Sequence, residues 1–390
     1  MRKKERIFAL KVIVSIDQIK PPITGTGRYT YELVNELQRL PQIESLRYFR
    51  GVSFDTELVR MQQKNSERLA WIARYLLAYS SVINVYRKFI ALRQTRALRG
   101  YEDYLFHGTS FYLPPFAGRS VVTIHDLSPF FLPECHPPER VRYMEAEVAL
   151  SVERASLLIT VSQFTRSEVA RYYGKRLDDI HAVPLASAPC FFPRDEEQLS
   201  ACLKKYGLAF RRYSLFVGTI EPRKNILTLL DAYERLPVRL RKEWPLVLVG
   251  YQGWCSHEIH ARIANGVRAG WVKYLGYTEN EDLPLLYAGT RLFVFPSLYE
   301  GFGLPVLEAM ASGVPVVCSN ASALPEVAEG VALMCNPYDV EALSGLIARG
   351  LEDVPWRTEA SAAGLVKARA YSWGRSAQAT VDAYACALKK

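Results

Sequence analysis

No stretch of this 390-residue chain approaches the roughly 20 uninterrupted apolar residues that a membrane-crossing helix requires. Nor does it hold a C-x-x-C pair: its seven cysteines, Cys135, Cys190, Cys202, Cys255, Cys318, Cys335 and Cys386, are scattered and odd in number. That argues against a disulfide framework and against a zinc site, and it fits a reducing cytosol. There is no Asp-x-Asp pair and no His/Cys cluster with metal spacing, the usual signs of a bound divalent cation. The third glycine of a dinucleotide-binding G-x-G-x-x-G is missing after Gly25-x-Gly27, which argues against a nicotinamide dehydrogenase. At the amino end, Arg2, Lys3 and Lys4 precede the apolar run Ile7–Ile16. Lys11 interrupts that run and no small-residue cleavage site follows, so it reads as a first buried strand behind a basic leader.

Acidic residues are also scarce in one place. Between residues 60 and 99 stand Arg60, Lys64, Arg68, Arg74, Arg87, Lys88, Arg93, Arg96 and Arg99, against Glu67 alone. This surplus of eight accounts for nearly all of the net charge of +9. Trp71, Tyr75, Tyr79, Tyr86 and Phe89 are interleaved with the cations. A basic helical surface of this kind can lie on anionic lipid as a peripheral contact; otherwise it is the solvated face of two amphipathic helices. Nothing in it resembles a nucleic-acid-binding module.

What is present in quantity is alternation. Strands are expected at Ala9–Ile16, Tyr104–His107, Ser120–Ile124 and Leu157–Val161. Helices are expected at Gly27–Leu40, Pro138–Ala155 and Ser162–Tyr173, the last capped by Ser162. Residues 184–193 hold Pro184, Pro189 and Pro193 without a period and read as a linker. The pattern then restarts: strands at Ser214–Val217, Leu246–Val249, Val272–Leu275, Leu292–Phe295 and Val314–Cys318, with helices at Asn225–Glu234, Glu281–Ala288 and Pro305–Ser312. Strands alternating with helices imply parallel sheets covered on both faces. At this length the result is an α/β protein of two Rossmann-like, doubly wound domains. Ligands of such sheets sit at the carboxyl ends of strands.

Those ends carry the chemistry. After Phe295 comes Pro-Ser-Leu-Tyr-Glu-Gly-Phe-Gly-Leu-Pro, a loop containing Glu300, Gly301, Phe302 and Gly303 that leads into a helix with Pro305 at its start. Free backbone N–H groups from Gly303 through Leu304 to Val306, with the helix dipole, suit a phosphate. Glu308, one turn in, can accept hydrogen bonds from ribose hydroxyls, and Glu300 lies on the sugar side. The plain alternative is a loop carboxylate and a helix-start charge. After Val217 come Gly218 and Thr219 and then the adjacent cations Arg223 and Lys224, which can stabilise a departing diphosphate as its charge develops. With these cations and a helix N-terminus at hand, no metal and no other cofactor is expected. His125 and Asp126 end the strand Ser120–Ile124, where they face a ligand or serve the fold. Gly25, Thr26 and Gly27 follow the first strand as a short loop that an acceptor or phosphate could approach closely.

These four segments together resemble glycosyltransferase family 4, the retaining enzymes with the GT-B fold, over nearly the whole chain and most densely from Leu215 to Glu326. Glu300 and Glu308 match the family's paired glutamates eight positions apart. Arg223 and Lys224 match its cations for the donor diphosphate, His125 its active-site histidine, and Gly25–Gly27 its N-terminal glycine loop. Where many members carry an arginine after the Val-Gly, this chain has Thr219, and Arg223 takes over the guanidinium. The resemblance implies an acceptor-binding domain at 1–188, a nucleotide-sugar-binding domain at 189–371, facing across a cleft, and a final helix in 372–390 crossing back to the first domain. It implies front-face transfer with retention. The Gly-Thr-x-Glu-Pro-Arg-Lys-Asn run is similar to bacterial mannosyl- and rhamnosyltransferases of O-antigen assembly. It implies a GDP-linked mannose or rhamnose donor and a lipid-linked glycan acceptor, handled in the cytoplasm or on the inner face of the membrane. Two other readings stay open: a sugar-nucleotide epimerase of the same fold, and a nucleotide-sugar-binding subunit without catalysis.

Overall fold

The computed structural model describes residues 9–20, 25–58 and 80–390, the side chains of 80–88 excepted. The basic leader Arg2–Lys4 and the part of the basic stretch from 59 to 79 lie outside the described residues.

Two sheets form. The first contains β1 (Leu10–Ser15), β2 (Ile43–Arg50), β3 (Ser53–Asp55), β4 (Leu105–Gly108), β5 (Ser120–Ile124), β6 (Leu157–Thr160) and β7 (Ile180–Ala182), in the order β3-β2-β1-β4-β5-β6-β7. All pairs are parallel except β2 with β3. The second contains β8 (Ser214–Val217), β9 (Leu246–Val249), β10 (Val272–Gly276), β11 (Leu292–Phe295), β12 (Val316–Ser319) and β13 (Leu333–Cys335), in the order β10-β9-β8-β11-β12-β13, all parallel. Each order reverses beside its first strand, between β1 and β4 and between β8 and β11. A crevice opens at such a point, beyond the carboxyl ends of the strands.

The central strands are buried on both faces because their sequences are almost wholly β-branched, leucine or aromatic. β9 is Leu-Val-Leu-Val and β11 is Leu-Phe-Val-Phe, every residue buried. On β1 the side chains alternate: Leu10, Val12 and Val14 join the larger core, and Ile13 joins the core on the opposite face. Burial of an aromatic such as Phe293 or Phe295 contributes about 1.5–3 kcal/mol.

Several elements differ from the sequence expectation. β2 is half-buried, with Glu44, Arg47 and Arg50 in it, so it carries no apolar run to notice. β3, β7 and β13 are three residues each. The strand expected from Val314 begins at Val316, because Pro315 has no N–H to give the ladder. The first helix spans Gly25–Leu37 rather than 27–40. Two helices, Val340–Glu352 and Val354–Arg369, are not anticipated by the alternation.

The last helix, Trp373–Leu388, is capped by Ser372, whose side chain accepts from the Arg375 N–H. It packs on the Gly25–Leu37 helix and on β5 and β6 of the first sheet. Its Tyr384 hydroxyl meets His107 Nδ1 at 2.7 Å, and His107 Nε2 meets Thr123 Oγ1 at 2.9 Å. Thr123 Oγ1 lies 2.9 Å from the Tyr29 hydroxyl. This buried chain therefore ties the last helix to β4, β5 and the first helix. Burial pushes the His107 imidazole down to about 3, so the ring is neutral and each nitrogen needs its partner. Tyr384→Phe should leave Nδ1 unpaired and cost about 1–3 kcal/mol. Thermal unfolding of the variant checks this: an unchanged midpoint would show that the network does not hold the helix.

Candidate active site

The loop after β11 is built by two close approaches. Gly303 has φ +109°, which an L side chain rarely adopts, and it starts the helix Leu304–Ala311. Gly301 lies against the first domain so closely that a Cβ there would stand 1.8 Å from the His125 carbonyl oxygen. The two domains thus meet at this loop. Thr165 Oγ1 donates to the Gly301 carbonyl at 3.1 Å. The Tyr299 hydroxyl donates to the buried Glu168 carboxylate and lies 3.4 Å from the Leu127 N–H.

Glu300 is carried between these contacts and is buried. Its Oε1 accepts from Lys224 Nζ at 2.5 Å and from the Ser297 hydroxyl at 2.6 Å, and its Oε2 lies 3.3 Å from Arg223 Nη1. The 222–224 turn supplies both cations. Arg223 Nη1 donates to the Tyr299 carbonyl and Nη2 to Glu221 Oε1, both at 2.7 Å. Burial alone would raise the Glu300 pKa, but the charges of Lys224 and Arg223 outweigh it and hold the carboxyl below its usual range. Burial and the neighbouring Arg223 push Lys224 down. Burial also pulls on Arg223, but Glu300, Glu221 and Asp126 hold it firmly charged.

Across the cleft, His125 Nε2 donates to the Thr109 carbonyl at 2.8 Å. Burial lowers the pKa of this imidazole, so the ring is neutral and Nδ1 is an acceptor. Tyr29 holds the ring edge-on at 4.9 Å between centroids. Asp126 Oδ1 accepts from the Ser128 N–H at 2.9 Å and its hydroxyl at 2.8 Å, fixing the turn after β5. Burial opposes ionisation of Asp126, yet the Arg223 charge and the Ser128 bonds lower its pKa.

A cavity of about 530 Å³ between the sheets is lined by His125, Asp126, Gly218, Thr219, Arg223, Lys224, Glu300, Gly301, Phe302, Gly303, Leu304 and Glu308, and by Gly25 and Thr26. The four sequence segments therefore converge on one cleft. Two expectations are corrected. The helix expected from Gly27 already begins at Gly25, so Gly25 and Thr26 belong to its first turn rather than to a loop before it; neither glycine has a positive φ, so both can be helical, and Gly27 is buried away from the cavity. The N–H groups that this helix start could offer a ligand end at Leu304, because Pro305 has none and the Val306 N–H bonds the Gly303 carbonyl at 3.0 Å.

Sequence reasoning missed Arg28, His136, Arg140, Tyr251, Trp254 and Tyr277, which also line the cavity. Trp254 Nε1 donates to the Cys135 carbonyl at 2.8 Å, its ring stacks on His136, and Arg140 covers it at 4.4 Å. The glycine-containing turn Tyr251–Trp254, directly after β9, was the available signal.

Two doubly wound domains facing across a cleft that carries buried cations and a glycine-bounded helix start define a GT-B glycosyltransferase. Residues 205–365 match the family described as glycosyl transferases group 1. The chain is 44% identical to O-antigen chain mannosyltransferase B of Escherichia coli, over 96% of this chain and 99% of that protein. Among solved structures it is similar to sucrose-phosphate synthase from Thermosynechococcus elongatus, with a TM-score of 0.70, 19% identity and coverage of 96% and 98%. It is equally similar to Anabaena HepE in complex with UDP and glucose, with a TM-score of 0.70, 17% identity and coverage of 96% and 99%. The chain belongs to the glycosyl transferases group 1 family and is a glycosyltransferase.

Glu308 makes one property of the cleft measurable. Burial raises its carboxyl to about 7, although Arg28 pulls the other way. The folded protein then holds a proton that the unfolded chain releases near the ordinary value of 4.5, so this group's contribution to stability falls as pH rises from there through 7. Glu308→Gln keeps the neutral form at every pH. Its melting temperature should match the parent's near pH 5 and exceed it at pH 8, since each tenfold displacement of a protonation equilibrium is worth about 1.4 kcal/mol. A difference that does not grow with pH would show that the carboxyl is not raised.

Proposed function

We propose that this chain is a retaining mannosyltransferase that transfers mannose from a GDP-linked donor, without a metal ion, to a lipid-linked glycan of a bacterial surface polysaccharide. The observation that carries the reading is the Lys224–Glu300–Arg223 cluster beside the start of the Leu304–Ala311 helix, in the cavity that His125 also lines. The donor diphosphate fits against Arg223, Lys224 and the Gly303 and Leu304 N–H groups, which offset its growing charge as the glycosidic bond breaks. Glu308, once ionised, accepts from the ribose hydroxyls. His125 Nδ1 accepts from a hydroxyl of the transferred sugar and orients it. Departure of the diphosphate and entry of the acceptor on the same face retain the configuration. The relative's name supports mannose as the transferred sugar.

The acceptor has a place to sit. A second cavity of about 650 Å³ opens at the carboxyl ends of β1, β2 and β4, lined by Asp17, Gln94, Tyr112, Tyr143 and Glu147 among others. It shares Gln18 with the donor cleft. Tyrosine faces with carboxylates and amides suit sugar rings and their hydroxyls. The helix Ser80–Ala97 also lines it through Ile90, Ala91 and Gln94, while Phe89 and Leu92 are exposed on the same helix. Among the described residues no helix is long and apolar enough to cross a membrane. The acceptor lipid would then reach this domain at the membrane surface, through residues 60–99.

Thermal stabilisation by GDP-, UDP-, ADP- and TDP-sugars with EDTA present tests the donor assignment, since a ligand of the native state raises stability by mass action. GDP-mannose should give the shift, and Lys224→Ala and Glu300→Ala should each cut transfer about 10²–10³-fold with the fold intact. A shift with another base alone would replace the donor; near-normal turnover in both variants would remove the site.

The lipid contact has its own check. Arg93→Glu with Arg96→Glu should weaken flotation with phosphatidylglycerol vesicles, and equal flotation would discard it.

A further inference from the structure

At the far end of the second domain, away from the donor cleft, three arginines converge. Arg211 precedes β8, Arg291 precedes β11, and Arg357 lies in the helix Val354–Arg369. They line a cavity of about 250 Å³ with Thr290, Thr358 and Ser361, and no carboxylate lines it. Arg291 Nε and Arg357 Nη1 both donate to the Leu351 carbonyl, each at 2.7 Å. The two donor nitrogens therefore stand no further apart than twice that distance. Among the described residues none of the three arginines takes part in an ion pair within 4 Å: nearby Glu243 is held by Arg212 and Arg239, and Asp353 by Arg349.

The end of the helix Val340–Glu352 accounts for one N–H from each of two arginines, and its C-terminal dipole favours a cation there. It does not account for the convergence of a third, nor for the remaining N–H groups. No acidic side chain in the cavity lining balances the charge. Burial, with Arg357, Arg212 and Arg211 nearby, pushes Arg291 down to about 10, although Glu243 opposes it. Burial and Arg211 likewise lower Arg357, against Asp353. A guanidinium presents planar, paired donors matched to phosphate oxygens, and several around one concavity surround an anion rather than touch it singly.

We infer that this cavity is a phosphate-binding site, formed by Arg211, Arg291 and Arg357 at the amino ends of β8 and β11. The volume admits one phosphate group with a small substituent. A free phosphate and the headgroup of a phospholipid offer the same chemistry. The site is independent of the sugar-transfer reading, because it lies at the opposite ends of the strands that carry the cleft.

The test is thermal stabilisation by inorganic phosphate, and by dihexanoyl phosphatidylglycerol below its micellar concentration, each against sodium chloride at equal ionic strength. It is run on the parent chain, on Lys224→Ala to weaken anion binding in the donor cleft, and on Arg211→Gln. Among the described residues the Arg211 side chain rests on the Phe210 ring and takes no part in holding the Leu351 carbonyl, so its removal spares the helix end. A saturable rise with phosphate should persist in Lys224→Ala and weaken at least about fivefold in Arg211→Gln, while stabilisation by the nucleotide-sugar is unchanged in the latter. Arg357→Gln should weaken it similarly if that protein folds. A greater effect of the short-chain lipid assigns a headgroup, and an effect of phosphate alone assigns the free ion. No saturable rise with either probe, or a rise undiminished in Arg211→Gln, overturns the site.

Discussion

A carboxylate buried between two cations sets the terms for the rest of this structure. Glu300 can be withdrawn from water only because Lys224 and Arg223 reach it, and they reach it only because β8 and β11 are neighbours. The turn after β8 presents the cations and the loop after β11 presents the acid. Each cation keeps Glu300 paired if the other is lost, whereas loss of Glu300 would leave Lys224 without an ion-pair partner among the described residues. The strand order, with its reversal between β8 and β11, is therefore what allows the charges to meet. On the proposed function the same cluster explains how the cleft is stable before the donor binds: Glu300 neutralises cations that a diphosphate would otherwise occupy, and the donor enters by sharing them.

The central strands of the second sheet were legible because they obey one rule. Strands buried on both faces must be nearly all apolar, so β8, β9 and β11 stand out at their full length in the sequence. The loops that follow are marked by glycine and charge at abrupt ends. β2 was not legible for the converse reason. It lies near the edge of the first sheet and is half-exposed, and its alternation is blurred by three arginine and glutamate side chains. The helix that opens at this segment was legible, but its start two residues earlier, at Gly25, was hidden, because glycine in sequence suggests a turn whether or not the backbone needs a positive φ there.

For the site, the sequence displayed residues that stand directly at strand ends and concealed those that arrive by tertiary packing. His125, Lys224 and Glu300 belong to the first kind. Trp254 belongs to the second: its value comes from stacking on His136 and bonding the Cys135 carbonyl, partners more than a hundred residues away. The same holds for Arg28, which lines the same cavity from the other domain and whose charge acts on Glu308. Periodicity reports which face of an element is buried, not what lies opposite.

Those hidden contacts share a location. Tyr299 to Glu168, Thr165 to the Gly301 carbonyl, Gly301 against the His125 carbonyl, and Trp254 to the Cys135 carbonyl all cross between the domains, and all lie within a few residues of groups that line the cleft. An enzyme whose domains were joined elsewhere could keep its site intact while the cleft opened. Here some of the bonds that join the domains are made by the site's own loops, beside those made by the last helix and by Glu326. Tyr299 serves both sides: its hydroxyl bonds Glu168 of the first domain, and its carbonyl accepts from Arg223 within the second. The charged cluster is assembled within the second domain by β8 and β11, while the loop that carries Glu300 also makes contacts to the first domain, so one loop serves both the charges and the walls that keep water from them.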